Sequence, residues 1–419
     1  MESIGGLGLN IIIINNAAKE STVLKAFLPI ASKRYKNVCV VFPSRISSLL
    51  YTQEENVKIC TPGVYQQIKA ILRFIKRVFT KYTFIDIRLA KSQNKASLSF
   101  IMKYMKAIFM ACIECCIVEN ELKFFKDDTY VFSMWYAENA IAAAMVKYDH
   151  PEVVTASYAH SYEVDPIKNQ YVGLFGDQFK ERFLDRIFFI SEVVMNNYLS
   201  ANNGQITFPK KYMALHFGSI KKIDRMCKPS TDGFFRILTC SGLSPVKRLH
   251  ILAEALLSTR FPKPIIWTIL GDGPEIGRIT DIVNRYDNVK VTADIRGRVN
   301  NDEVHKYYSE NPIDLFINIS SSEGLPVSIM EAMSYGVPAL ATDVGGNREI
   351  VNNETGLLID ADITTDDVAN ALVSLMSDDL NKKREAAYLM WKENYQIENN
   401  VLKMFAELDK KRKTDGDAL

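Results

Sequence analysis

Short apolar runs recur along the chain, with amphipathic stretches between them. Residues 9–15, 38–42, 129–135, 153–158 and 185–191 are each largely apolar. Runs of that length read as strands buried on both faces of a parallel sheet. Between them, residues 22–34, 65–82, 95–119 and 137–147 carry apolar side chains at helical spacing. Residues 215–218 read as one more strand, ending on Gly218. The alternation restarts after residue 234. Strands are expected at 235–240, 265–270, 289–291 and 315–319, and helices at 249–258 and around Tyr307 and Tyr308. Residues 320–360 then read as loop, helix, Gly336–Pro338 turn, strand and Gly345-Gly346 loop. This alternation is α/β with parallel sheets. Residues 385–395 and 399–408 read as closing helices, and the basic end from Lys410 as disordered.

A polar, turn-rich segment separates the two series. It divides the chain into a Rossmann-like domain at 1–218, a linker at 219–234, a second Rossmann-like domain at 235–380, and helices at 381–419 packing back toward the first domain. The length of 419 residues fits two or three domains.

Composition narrows the class. Hydrophobic residues make up 47% and charged residues 24%, as in ordinary globular proteins. A net charge of +2 gives no argument for nucleic acid. The seven cysteines are an odd number at low density, which suits free thiols in a reducing cytoplasm. Cys112, Cys115 and Cys116 include a CxxC spacing, but no second pair or histidine cluster completes a zinc site, and they read as small apolar residues on a helix. The first residues lack the basic region and cleavage site of a signal peptide. Residues 98–118 form the most apolar stretch, yet contain Lys103, Lys106 and Glu114, so no spanning helix is expected.

Within residues 65–82, Lys69, Arg73, Lys76, Arg77 and Lys81 gather on one side, with Ile68, Ile71, Leu72, Ile75, Val78 and Phe79 on the other. A basic amphipathic helix docks on anionic lipid headgroups, or is a domain helix with a solvated cationic face. A cytoplasmic protein, peripheral on the inner face of the cell membrane under the first alternative, is the expectation.

Candidate chemistry sits where strands end. His160 follows the strand at 153–158, the position where open α/β sheets place functional residues, and can bind a hydroxyl or phosphate or carry a proton. Lys247, in the loop after 235–240, is a point charge suited to a diphosphate. Gly271-Asp272-Gly273-Pro274 reads as a tight turn at a strand end. Glu323 precedes a helix and Glu331 lies inside it. Two acids alone suit general acid and base, but their placement beside a helix start suits two ends of one ligand. That helix is expected to begin near Pro326, leaving free N–H groups and a dipole that favour phosphate. The GxGxxG fingerprint is absent from the first strand–helix turn, which weakens a dinucleotide reading; Asp127-Asp128 and Asp378-Asp379 read as surface turns and not as an acidic metal pair at a strand end, so no metal is expected.

Residues 243–248, 271–274, 314–316, 323–332, 336–338, 342–346 and 354–358, in that order, resemble the retaining glycosyltransferases of family 4, with Glu323 and Glu331 as their E-x7-E motif. The resemblance implies a GT-B fold, two Rossmann-like parallel-sheet domains facing a central cleft. It is most like bacterial enzymes building capsule, O-antigen or exopolysaccharide. It implies transfer of a sugar from a nucleotide diphosphate sugar, UDP- or GDP-linked, to a growing, lipid-linked glycan with retention, and no metal or other cofactor. Glu323 would hold donor-sugar hydroxyls and Glu331 the ribose diol. Lys247 would grip the diphosphate with Arg248 as helper, and backbone at Gly324, Leu325, Val327 and Ser328 would face the leaving group. Gly271, Gly273, Gly297 and Arg298 would complete the donor site, and His160, across the cleft, would sit near the reacting sugar. Here Gly242 stands where many relatives have arginine, Ser161 where glycine is common and Glu163 where aspartate is common. A glycine-rich loop is not evident after the first strand, since Gly5 and Gly6 precede it. A GT-B UDP-sugar epimerase and a non-catalytic glycosyltransferase-like subunit are the rival readings, and the complete Lys247, Glu323 and Glu331 set weighs against both.

Overall fold

The computed structural model describes residues 8–15, 22–44, 54–125, 128–166, 168–202, 204–285 and 290–416. Gly5, Gly6, Asp127, Val289 and the polar loop at 16–21 lie outside them. The chain forms two compact units. One takes residues up to 215 and, from 398, the closing helix; the other spans 216–397.

The first unit is built on seven parallel strands, β1 (Asn10–Ile14), β2 (Asn37–Val41), β3 (Val57–Cys60), β4 (Thr129–Ser133), β5 (Val154–Ala159), β6 (Arg186–Phe189) and β7 (Tyr212–Ala214). Their order is β3-β2-β1-β4-β5-β6-β7. In β1, β4 and β5 every residue is buried, as continuous apolar runs require when helices cover both faces. Residues 215–218 are not a strand. Pairing with β6 ends at Ala214, where Met213 and Ala214 face Phe188 and Phe189. β3 escapes a reading by pattern because it has four residues, one of them Lys58.

The stretch at 65–82 resolves into two helices, Val64–Val78 and Lys81–Ser92, divided at extended Thr80. The first is turned opposite to expectation. Its cations point inward. Lys69 pairs with Glu119 at 2.8 Å, Arg73 with Glu119 and with Asp149 at 3.2 Å, and Arg77 with both Asp149 oxygens at 3.0 Å. Burial pushes the Glu119 carboxyl up, but these donors hold it below its usual range. Ile68, Ile71, Leu72, Ile75 and Phe79, expected to pack inward, are exposed. Only Lys76 and Lys81 of the five cations are exposed. The reason is chemical: buried Glu119 is more stable beside cations than alone, and exposed Asp149 at its side pairs with Arg73 and Arg77.

Cys112, Cys115 and Cys116 lie buried on the helix Leu98–Leu122 that carries Glu119. Burial pushes the Cys112 thiol up to about 12. The C-terminal residues are ordered further than expected. One helix runs Ile397–Gly416, anchored on the first unit by Arg34 to Asp409 at 2.7 Å and by Arg412 to Asp128.

The second unit has six parallel strands, β8 (Phe235–Cys240), β9 (Ile265–Leu270), β10 (Val291–Ile295), β11 (Leu315–Asn318), β12 (Ala339–Thr342) and β13 (Gly356–Ile359), in the order β10-β9-β8-β11-β12-β13. β10 begins where the expected strand at 289–291 was to end. β13 follows the Gly345-Gly346 loop, where no strand was expected. A Cβ on Gly356 would lie 1.9 Å from the Ala339 carbonyl oxygen, so glycine lets this edge strand close on β12. Residues 219–234 run over the second unit, with the Cys227 amide bonded to Tyr335 O and the Ser230 amide to Asp314.

Both sheets repeat one order, in which the first strand of each lies between its second and fourth. Crossovers leave that first strand in opposite directions on its two sides, and the crevice at the carboxyl ends there is where such sheets bind ligands. In the second unit that point lies between β8 and β11.

Candidate functional site

The loops leaving β8 and β11 meet at this point. The β8 loop ends in a short 3-10 turn, Pro245–Lys247, and Arg248 follows in a left-handed conformation, φ 50°. The strained backbone is held by its own side chain. Arg248 donates to Ile319 O, Ser320 O and Ala361 O, each at 2.8 Å. The expected phosphate helper therefore spends its donors fastening the β8 loop to the β11 loop. The Ser321 amide donates to Val246 O at 2.8 Å and completes the join.

The result is a fixed ion pair. Lys247 Nζ lies 2.6 Å from Glu323 Oε1. Ser320 Oγ at 2.6 Å and Asn318 Nδ2 at 3.1 Å donate to the same oxygen. All of these donors converge on Oε1. Among the described residues no hydrogen bond reaches Oε2, which is left as an acceptor on a rigid carboxylate.

Glycines let neighbouring backbone close around this pair. Gly345 has φ +53°, and a Cβ there would lie 2.1 Å from Glu323 O. The Gly346 amide donates to Gly324 O at 2.7 Å. The Gly345-Gly346 loop thus supports the Glu323 loop from behind. Gly271 and Gly273 do the same for the β8 loop. Their Cβ atoms would lie 1.9 Å from Ser241 O and 2.6 Å from Leu243 O. These two are scaffold for Lys247. Gly297 donates no close approach, but its carbonyl accepts from the Gly271 amide at 2.8 Å, and exposed Arg298 follows it.

Beyond Glu323 the helix Val327–Ser334 begins one residue later than expected, with Pro326 as its extended N-cap. Leu325 and Pro326 are buried, whereas Val327 is exposed and Ser328 half-buried. The first amides of a helix have no partner within it, so those of Val327 and Ser328 face outward as donors. Glu331, one turn on, is buried. Its Oε1 accepts from Asn301 Nδ2 at 2.8 Å and lies 3.8 Å from His305 Nε2. Burial raises its pKa, opposed by the Asn301 bond and by Lys222. His305 is fully buried, bonded through Nδ1 to Tyr335 Oη at 2.9 Å, and burial lowers it to about 4.

His160 belongs to the first unit. It caps the turn Ser161–Val164, its amide donating to Glu163 Oε2 at 2.7 Å. Its ring packs between Trp135 and Tyr158, centroids 4.3 and 4.9 Å away. Burial lowers it to about 4, although a bond to Met134 O at 3.2 Å acts the other way. The ring is neutral at pH 7. A carbonyl only accepts, so Nε2 carries the proton and Nδ1 is an acceptor.

Among the described residues two clusters have metal-ligand spacing, Cys39/Cys60/Glu121 and Cys115/Glu119/Asp149. Lys58 lies 2.6 Å from Glu121, and Arg73 pairs with both acids of the second, so protein cations already balance each cluster.

Sequence reasoning missed Ser320, Asn318, Asn301 and His305. Ser320 and Asn318 sit at the end of β11 and were visible as polar residues beside Glu323. Asn301 and His305 come from another helix, and no spacing ties them to Glu331.

Comparisons with known proteins follow the same geography. Residues 235–378 match the family model described as Glycosyl transferases group 1. Over 152 residues the chain is 30% identical to the O-antigen biosynthesis glycosyltransferase WbnH of Escherichia coli, which covers 36% of this chain and 40% of that protein. Over 184 residues it is 30% identical to the UDP-N-acetylglucosamine--peptide N-acetylglucosaminyltransferase GtfA subunit of Streptococcus agalactiae, covering 41% of this chain and 34% of that one. The matches thus span well under half the length of these curated relatives. Among solved structures, Anabaena Alr3699/HepE in complex with UDP aligns with a TM-score of 0.66 at 14% identity, covering 96% of this chain and 100% of that one. The fold is GT-B, two Rossmann-like units on parallel sheets of seven and six strands.

Proposed function

We propose that the chain is a glycosyltransferase that moves a sugar from a nucleotide diphosphate sugar to a growing glycan, with retention at the anomeric carbon. The observation that carries this reading is the Lys247–Glu323 pair at the switch point of the second sheet, beside an outward-facing helix N-terminus. The names of the matched relatives, one making O-antigen and one transferring N-acetylglucosamine from a UDP donor, agree with it.

The chemistry follows from the charges. Before donor binds, Lys247 is neutralised by Glu323. A diphosphate brings negative charge to the same place, and Lys247 serves it while Ser320 and Asn318 keep Glu323 in position. Oε2 of Glu323 then accepts from sugar hydroxyls. Glu331 accepts from the ribose diol, held by Asn301. When the anomeric C–O bond breaks, its electron pair passes to the phosphate oxygen. The amides of Val327 and Ser328 and the Lys247 ammonium stabilise that growing charge. The acceptor hydroxyl forms the new bond, and its proton goes to the departing phosphate oxygen, so no protein base is needed. His160 supplies an uncharged acceptor from the first unit for a sugar hydroxyl. A lipid-linked acceptor fits the same reading.

A panel of nucleotide sugars scored by thermal shift identifies the donor, since a bound ligand raises stability by mass action. Transfer to a glycan acceptor should then vanish in Glu323→Ala and fall in His160→Ala. Full activity in Glu323→Ala would refute the assignment. Release of free or isomerised sugar without acceptor would point to the epimerase reading instead.

A further inference from the structure

The helix Val64–Val78 shows solvent the face that a soluble helix buries. Tyr65, Ile68, Ile71, Leu72, Ile75 and Phe79 recur at three- and four-residue spacing and are 50–72% exposed. At 1.5 Å per residue they form an apolar stripe about 20 Å long. Isolated apolar residues on a surface mean little, but a continuous stripe marks a docking face.

Charge says what it docks on. The exposed cations near it in the chain are Lys76, Lys81, Arg88, Lys91, Lys103 and Lys106. From residue 64 to residue 110 the only acid is Asp86. Asp86 is buried and accepts from the Tyr104 hydroxyl and from the Gly176 amide at 2.9 Å. Glu119 and Asp149 are engaged by Lys69, Arg73 and Arg77. Those inward pairs are what hold the apolar face outward.

We infer that this helix lies in the interface of a bilayer rich in anionic phospholipid, its apolar stripe among the acyl chains and its neighbouring cations among the phosphates. Such a surface offers hydrocarbon and negative charge together, and lysines reach its headgroups on flexible stems. The core of a protein–protein interface is depleted in lysine, and a second copy of this face would bring like charges together. Among the described residues no helix is long and apolar enough to cross a membrane, so the contact is in-plane. The sequence alone suggested docking through the cationic face of this helix; the structure exchanges that face for the apolar one. The inference does not rest on the transferase reading, since vesicle binding is measured without donor.

The test is co-sedimentation of the full chain with vesicles of phosphatidylglycerol and phosphatidylcholine, and with phosphatidylcholine alone. Binding should require phosphatidylglycerol and weaken in high salt. Ile68→Asp with Ile75→Asp should reduce the partition roughly tenfold or more. Lys76→Glu with Lys81→Glu should reduce it at least about fivefold per lysine. Thermal unfolding without vesicles checks that the variants fold. Ile71→Trp gives an independent reading, a blue-shifted emission on vesicles that brominated lipid quenches. Wild-type protein left in the supernatant, or an Ile68→Asp/Ile75→Asp variant that sediments like wild type, overturns the inference. So does a discrete oligomer that this variant dissolves while wild type ignores vesicles, which would make the stripe a protein interface.

Discussion

Replacing Lys247 by alanine separates two roles that its pairing with Glu323 combines. The contact is 2.6 Å long, between side chains 24% and 11% exposed. As a structural contact between half-buried side chains it contributes about 1 kcal/mol. Glu323 also keeps Ser320 and Asn318, so its carboxylate is not left bare. The variant should therefore unfold within a few degrees of wild type. As a phosphate ligand the same ammonium is worth more. A hydrogen bond to a charged group contributes about 1.5–3 kcal/mol. At about 1.4 kcal/mol per tenfold, that is roughly a ten- to hundredfold loss in kcat/KM, and the larger figure applies if charge grows on the phosphate as the bond breaks. Initial rates with the donor found by thermal shift measure the loss in kcat/KM, and thermal unfolding the structural contribution. Calorimetric titration with nucleoside diphosphate and monophosphate measures the phosphate contact itself, and only diphosphate affinity should fall steeply. The reasoning fails if diphosphate affinity stays within about twofold of wild type. It also fails if activity merely tracks a large loss of folded protein.

Three further outcomes are expected. Gly345→Ala places a Cβ 2.1 Å from Glu323 O at φ +53°, so the Glu323 loop must move; nucleotide affinity should fall at least tenfold by calorimetry while far-UV circular dichroism is kept. Burial raises Glu163 to about 8 from an ordinary 4.5, so folding takes up a proton between those values, and the contribution is whole below about 4.5 and lost as pH rises through about 8. Glu163→Gln, which keeps the acceptor for the His160 amide and stays neutral, should match wild type below about pH 4.5 and exceed it in stability by a margin that widens up to about pH 8, read by urea unfolding across that range. A Cβ on Gly242 meets nothing within 4 Å, so Gly242→Arg should fold normally and tighten nucleoside diphosphate binding about three- to tenfold through an added cation.

The second unit was more legible than the first, and the difference has a physical source. Where backbone must pass within contact of backbone, only glycine fits, so Gly271, Gly273 and Gly345 mark loops whose shape is fixed. A lysine and two acids around such loops then have few places to go. Arg248 shows the limit of this reasoning. Its charge and position beside Lys247 suit phosphate, but its left-handed backbone needs fastening, and three carbonyls claim the guanidinium. Asn301 and His305 were beyond reach because their link to Glu331 is made by packing between helices. Strands buried on both faces were read correctly from apolar continuity, whereas β3 and β13 sit at sheet edges, where four residues and relaxed burial leave no such run.

The helix Val64–Val78 carries the argument one step further. A periodic pattern states that a helix has two faces, and burial is usually assigned to the apolar one because water disfavours it. That assignment assumes the opposite wall is apolar. Here the wall holds buried Glu119 with exposed Asp149 at its edge, and burying the Glu119 carboxylate without cations would cost several kcal/mol. Turning Arg73, Arg77 and Lys69 toward them removes that cost, and leaves the apolar stripe unburied by the chain itself. Glu119 and Asp149 lie tens of residues from the helix in sequence, so its orientation is decided by long-range charge rather than by its own pattern. Replacing both acids by glutamine should remove the reason for the inward cations, and with it the preference for an outward apolar face.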